Sequence, residues 1–116
     1  MRRRLVLSGA LMAAWPLTAC QKKKKPLEPG QFVGRWKSSR SSLPVELLAN
    51  GDWEIRGEDG AVLQYGVWRL DGEQILWTIR TEQGVVHDPT RVLDVDDKGF
   101  SLRERDGSTT RFTRLD

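Results

Sequence analysis

Beyond Phe32 the apolar residues of this chain recur at every second position in short runs, and over no useful length at the helical period. Ile75, Trp77 and Ile79 alternate with Leu76, Thr78 and Arg80, and Phe100 and Leu102 alternate with Ser101, Arg103 and Arg105. A period of two puts successive side chains on opposite faces of a strand. Turn dipeptides punctuate these runs at Asn50-Gly51, Asp59-Gly60, Asp71-Gly72, Gln83-Gly84, Lys98-Gly99 and Asp106-Gly107. Glycine there supplies the positive φ that tight hairpins need. The pattern predicts strands at about 33–39, 44–49, 52–57, 61–70, 74–81, 84–95, 99–105 and 108–114, the sixth with an optional break at Asp88-Pro89. Evenly spaced hairpins without helices predict an all-β fold, a small antiparallel up-and-down barrel of about eight short strands. Closure removes the free sheet edges that invite aggregation.

The N-terminal end follows a different pattern. Arg2, Arg3 and Arg4 precede an uncharged apolar run over residues 5–17, closed by Leu17-Thr18-Ala19-Cys20. A cationic stretch, a short apolar run and small residues before a cut describe an export signal. The run falls short of the roughly 20 residues a bilayer-spanning helix needs, and Pro16 would break such a helix. Leu17-Thr18-Ala19-Cys20 resembles the lipobox of bacterial lipoproteins. The resemblance implies cleavage between Ala19 and Cys20, diacylglycerol on the Cys20 sulfur and an acyl chain on its new amine. Gln21, where an Asp would favour inner-membrane retention in enterobacterial lipoproteins, implies the periplasmic face of the outer membrane. Arg2-Arg3-Arg4-Leu5-Val6 loosely resembles a twin-arginine motif, although arginines also serve the general secretory route by charge alone.

This reading divides the chain into a signal over 1–19, a lipidated tether over 20–30 and a barrel domain over 31–116. It also reassigns the charge. The chain carries 19 basic and 16 acidic residues, but without the three signal arginines the count is 16 against 16. From Leu27 onward 12 basic residues face 16 acidic ones, a net charge of −4. A nucleic-acid-binding domain carries its positive charge on the folded body, so no nucleic-acid partner is expected. Residues 21–29 (QKKKKPLEP) predict an extended linker reaching on the order of 30 Å. Its lysines 22–25 act as a solvated spacer, or are drawn to anionic headgroups at about 1 kcal/mol each or to peptidoglycan carboxylates. Cys20 is the only cysteine, so no intramolecular disulfide can form. The core alone must hold the domain together, and Trp36, Trp53, Trp68 and Trp77 suit that task because each aromatic buries roughly 150–250 Å².

Gly34-Arg35-Trp36, then residues 46–53 (ELLANGDW) and 65–72 (YGVWRLDG), resemble the small lipocalin-like domains of bacterial lipoproteins. In that family the opening Trp packs at the closed end beneath a basic residue of the last strand. The resemblance therefore places Arg114, which shares a face with Phe112, over Trp36, with Arg111 as the second choice. Lipocalins are nearly twice as long as this domain and enclose deep cavities. Eight short strands leave an interior only just wide enough for side chains, so Trp53, Trp68 and Trp77 either fill it or line a ligand site.

No catalytic constellation emerges. His87-Asp88, before Pro89, is expected at an exposed bend, with no serine tied to it. Residues 94–99 (DVDDKG) do not have the spacing of a calcium-binding loop, and acidic residues around a tight turn are common, so no metal is expected. The serine-rich stretch 38–42 (SSRSS) reads as a flexible polar loop joining the first two strands, a plain linker or else the place where partner contacts would fall. The sequence thus predicts a non-enzymatic, membrane-anchored lipoprotein of the bacterial envelope that binds a small apolar ligand or a protein partner, with no cofactor beyond the Cys20 lipid. The alternative is an inhibitor or immunity lipoprotein against a periplasmic hydrolase such as lysozyme. That class often uses a disulfide and a loop of Ser-Gly-x-x-Tyr type, and this chain has neither. A hydrolase resting on His87 is the third reading.

Overall fold

The computed structural model describes residues 25–115, so Ala19, Cys20 and the signal before them lie outside the described residues. Eight strands run in chain order: β1 (Gly34–Ser38), β2 (Val45–Leu47), β3 (Asp52–Arg56), β4 (Val62–Asp71), β5 (Gln74–Thr81), β6 (Gly84–Asp96), β7 (Gly99–Arg103) and β8 (Thr109–Arg114). Each pairs antiparallel with the next, and β8 returns to β1 through Trp36↔Arg114, Lys37↔Thr113 and Ser38↔Phe112. The sheet is therefore a closed barrel in simple meander order. This is the small, all-β, eight-stranded antiparallel barrel that the strand pattern predicts, and it matches the lipocalin-like fold that the resemblance implies. Among the described residues no helix is long and apolar enough to cross a membrane.

Alternation decides which side chains enter the barrel. Trp36 on β1, Val45 and Leu47 on β2, Trp53 on β3 and Trp68 on β4 all point inward and are buried. Ile75 and Trp77 on β5, Val92 on β6, Phe100 and Leu102 on β7 and Phe112 on β8 complete the core. A β-bulge between Val92 and Asp94 shifts the register of β6. It turns both Val92 and Val95 onto the core and leaves Leu93 at the surface.

Strands β4, β5 and β6 have 10, 8 and 13 residues, whereas the other five have three to six. The barrel is thus taller on one side. The first part of β6, residues 84–90, pairs only with β5, because pairing with β7 begins at Arg91↔Arg103. That explains why β6 is continuous through Asp88-Pro89, where a break was an option. The missing N–H of Pro89 costs no ladder bond on a strand segment with a single neighbour. Arg105 also donates to the His87 carbonyl along this edge at 3.2 Å. Proline and a charged side chain on an edge discourage pairing with another chain.

The N-terminal residues expected to form a free linker do not all do so. Pro29–Gln31 form a 3₁₀ turn in which the Glu28 N–H donates to the Gln31 side chain at 2.8 Å. Leu27 packs against the core, and Phe32 is fully buried. The chain thus enters the barrel across one end, the closed end, where the β2–β3, β4–β5 and β6–β7 turns also lie.

One buried polar relay holds the middle of the barrel. The Trp77 indole donates to Thr90 Oγ1 at 2.9 Å, and that hydroxyl donates to the Ile75 carbonyl at 3.0 Å. Thr90→Val keeps the shape but leaves the buried indole N–H unpaired, which costs about 1–3 kcal/mol. Urea unfolding should show the lower midpoint with an unchanged slope, whereas the same substitution in a Trp77→Phe background should cost markedly less.

Candidate functional site

Three regions compete for a functional role: the closed end, the interior and the outer wall of the tall side. At the closed end the structure brings Gly34, Trp36 and Arg114 together. The Arg114 guanidinium carbon lies 4.3 Å from the centroid of the Trp36 ring, and the indole N–H donates to the Phe32 carbonyl at 2.9 Å. Gly34 has φ +146°, and a Cβ there would come within 2.8 Å of the Arg114 guanidinium. Its lack of a side chain therefore leaves room for the cation. Arg111 lies on the outside instead, paired with Asp94 at 3.0 Å and Asp96 at 3.6 Å. The space around the Trp36 ring is thus taken by Arg114 and by the protein's own backbone.

The interior is also filled. Trp53 and Trp77 meet edge to face with ring centroids 6.1 Å apart, and Trp77 stacks on Phe112 at 6.3 Å. Phe112 stacks on Phe100 at 4.7 Å, which in turn meets Trp36 at 4.8 Å and Phe32 at 5.0 Å. The polar edges of the indoles are spent internally as well. Trp53 donates to the Thr78 carbonyl and Trp68 to the Leu48 carbonyl, both at 3.1 Å, in addition to the bonds of Trp36 and Trp77. Trp53, Trp68 and Trp77 are thus core, with rings packed on rings and their N–H groups already paired.

The outer wall of β4–β6 is different. Leu63, Tyr65, Val67 and Val85 are 47–59% exposed. Tyr65 carries the Arg80 guanidinium 5.9 Å from its ring centroid. A groove of about 850 Å³ runs along the wall beside Val67, Arg69, Leu76, Thr78, His87 and Pro89. A second groove of about 870 Å³ lies at the closed end, between Leu27 and Pro29 on one side and Arg91 and Leu93 on the other. Volumes of this size are within the range of small-molecule sites, so the barrel is capable in principle of taking a small ligand on its outside.

The remaining sequence candidates resolve individually. His87 is on the exposed face of β6 rather than at a bend, and its Nδ1 is 3.4 Å from Thr78 Oγ1. The neighbouring Asp88 faces the other side of the strand, 3.9 Å from Arg105, so it does not orient the imidazole. Among the described residues no group of three or more His, Cys, Asp or Glu side chains is arranged to hold a metal ion. The serine-rich loop is pinned rather than protruding. Ser39 exchanges bonds with Arg111 at 2.8 and 2.9 Å, and Ser41 bridges to Leu43. Asp96 closes the β6–β7 turn by accepting from the Lys98 and Gly99 N–H groups at 2.9 and 3.0 Å.

That turn gives a pH dependence. The Lys98 N–H bond lowers the Asp96 pKa below its ordinary 3.8; desolvation opposes it, and the Gly99 N–H and the charges of Arg111 and Lys98 add to the lowering. A depressed folded value means the carboxylate stabilises the fold above pH 3.8, and that contribution is lost as the pH falls through the folded value. The wild-type chain should therefore exceed Asp96→Asn in thermal midpoint at neutral pH, with the gap closing below pH 3.8. A gap independent of pH would refute the assignment.

The sequence reading did not single out the exposed wall. Its signal was present in residues 62–70 (VLQYGVWRL), where Leu63, Tyr65 and Val67 occupy the alternate set opposite Trp68. A strand that is apolar on both faces in a barrel with a filled interior has an apolar outside. No protein-family model, curated protein or solved structure matches the chain.

Proposed function

We propose that this chain is a non-enzymatic, lipid-anchored protein of the bacterial envelope, whose barrel works as an interaction module through its outer surface. The observation that carries the reading is the filled interior, with four indole N–H groups bonded to the barrel itself. A lipocalin-like barrel packed in this way does not offer an internal site to an apolar ligand. What it offers is surface. The lipobox at Leu17-Thr18-Ala19-Cys20 supports anchoring through lipid on Cys20, and Gln21 supports the outer membrane as its destination.

The experiment is native mass spectrometry of the full chain extracted from bacterial envelopes, together with labelled palmitate feeding. The expected result is the mass of residues 20–116 plus the Cys20 lipid, with no retained small molecule, and loss of the label in Cys20→Ala. A molecule that stays bound and is released by Trp77→Ala would overturn the surface reading. Label retained in Cys20→Ala would overturn the anchor.

A further inference from the structure

We propose that the outer wall of β4–β6 docks a protein segment that presents carboxylates beside apolar side chains. This rests on the surface-interaction reading and adds the face and the chemistry of its partner. The outward positions of the wall follow from alternation against buried Trp68, Ile75, Trp77 and Thr90. They carry Leu63, Tyr65 and Val67 on β4, Leu76 on β5, and Val85 and Pro89 on β6. The polar positions among them are Arg69, Thr78, Arg80 and His87, with Asp71, Gln74 and Arg91 at the closed-end margin. Asp71, the last residue of β4, is the one carboxylate among these outward positions, and those within 63–69, 76–80 and 85–89 present none.

The cations of the wall are also unneutralised. Among the described residues neither Arg69 nor Arg80 makes an ion pair, nor do Arg35, Arg103 and Arg114, whereas Arg40, Arg56, Arg91, Arg105 and Arg111 do. On the neighbouring strand β3, Glu54 lies across from Tyr65 and is held by Arg56 at 2.8 Å, and Asp52 lies across from Val67, where it accepts from the Asn50 side chain at 3.2 Å. The folded body from Leu27 onward has a net charge of −4, so this positive apolar face runs against the sign of the whole. An acidic partner is repelled elsewhere and attracted here, and complementarity of that kind sets orientation and encounter rate. Tyrosine and arginine are also the side chains most enriched where binding energy concentrates. Arg80 over Tyr65 places one of each at the centre of the wall.

A membrane surface fits less well. The hairpin tip that would lead the wall into a bilayer carries Glu82, which anionic headgroups repel. The four exposed apolar side chains and the groove beside them suit a protein segment that carries a few acidic groups.

The test is selection of a displayed random-peptide library on the immobilised full chain, with binding of the enriched peptides then measured by calorimetry. Enriched sequences should combine Asp or Glu with apolar residues, and their binding should weaken with salt. Tyr65→Ala and the pair Arg69→Glu with Arg80→Glu should each weaken it at least about tenfold. Lys37→Glu, a cation on β1 on the opposite side of the barrel, should leave it unchanged. Thermal midpoints of all variants should stay near the wild-type value, since these side chains are exposed. Enrichment of basic or uncharged sequences, no enrichment, or equal loss in Lys37→Glu would overturn the proposal. Wall-dependent binding to phosphatidylglycerol vesicles but not to phosphatidylcholine vesicles would replace it with a lipid surface. Peptides that bind independently of the wall would leave the surface-interaction reading standing and remove only this face.

Discussion

Trp36→Ala is expected to destabilise the barrel by about 3–5 kcal/mol, the usual cost of emptying a buried Trp or Phe site. In a domain of this size that lowers the thermal midpoint on the order of 20 °C. The reason is the number of things this ring does at once. It is fully buried, meets Phe100 edge to face at 4.8 Å, donates to the Phe32 carbonyl and lies beneath Arg114. Removing it opens a cavity between the first and last strands, where the barrel closes. It also leaves Arg114 without its ring and Phe32 without a donor. Arg114→Ala alone should cost roughly 0.5–2 kcal/mol, and Arg114→Lys should recover part of that. In a double-mutant cycle with Trp36→Leu the two losses should fall short of additive, the shortfall reporting the stacking itself. Equal effects of Arg114→Ala with and without Trp36 would show that the guanidinium contributes nothing through the ring.

Gly66→Ala is the second large effect. Gly66 lies between Trp53 on β3 and Ile79 on β5 in the pairing of the sheet. With no side chain at this position, the Trp53 indole passes over the strand and donates to the Thr78 carbonyl of β5 at 3.1 Å. A Cβ on Gly66 would collide with that carbonyl and come within 2.7 Å of the indole nitrogen. One obstacle is backbone, so a rotamer change cannot relieve it. Overpacking costs typically 1–3 kcal/mol, and here a cross-strand hydrogen bond is lost besides. The expected loss is about 3 kcal/mol or more, with a fall in thermal midpoint on the order of 15 °C. Trp53→Ala removes one of the two clashing partners, so the cost of Gly66→Ala should shrink in that background. An undiminished cost would assign the whole effect to the Thr78 carbonyl.

Most of the fold was legible because its signals are local. Asn-Gly and Asp-Gly turns and period-two apolarity give each strand to within two residues at either end, from β1 at Gly34–Ser38 to β8 at Thr109–Arg114. What could not be read depends on neighbours. Pro89 is tolerated within β6 because β7 begins its pairing only at Arg91↔Arg103, and nothing near Pro89 in the chain says so. The bulge after Val92 is invisible for the same reason. Leu27 sits alone in a lysine- and proline-rich stretch, so no periodicity marks it as part of the core, yet it packs there. His87 looked like a bend residue because Asp-Pro follows it, and it lies on an extended strand instead.

The candidate site was less legible than the fold. The tryptophans are conspicuous in the sequence because they are large, and they prove to be the packing of the interior. The wall is made of ordinary residues, Leu63, Tyr65, Val67 and Val85, whose exposure is the informative property. Exposure becomes readable only when the other face of the same strands is known to be full.

Tyr65 has one more consequence, which is optical and chemical. It is the only tyrosine in the chain, and it lies on the wall, whereas Trp36, Trp53, Trp68 and Trp77 are inside. The two kinds of chromophore therefore report on different things. Indole fluorescence follows the integrity of the core and should resist an aqueous quencher until the barrel opens. A phenol-selective reagent places a single label at the centre of the exposed face without engineering.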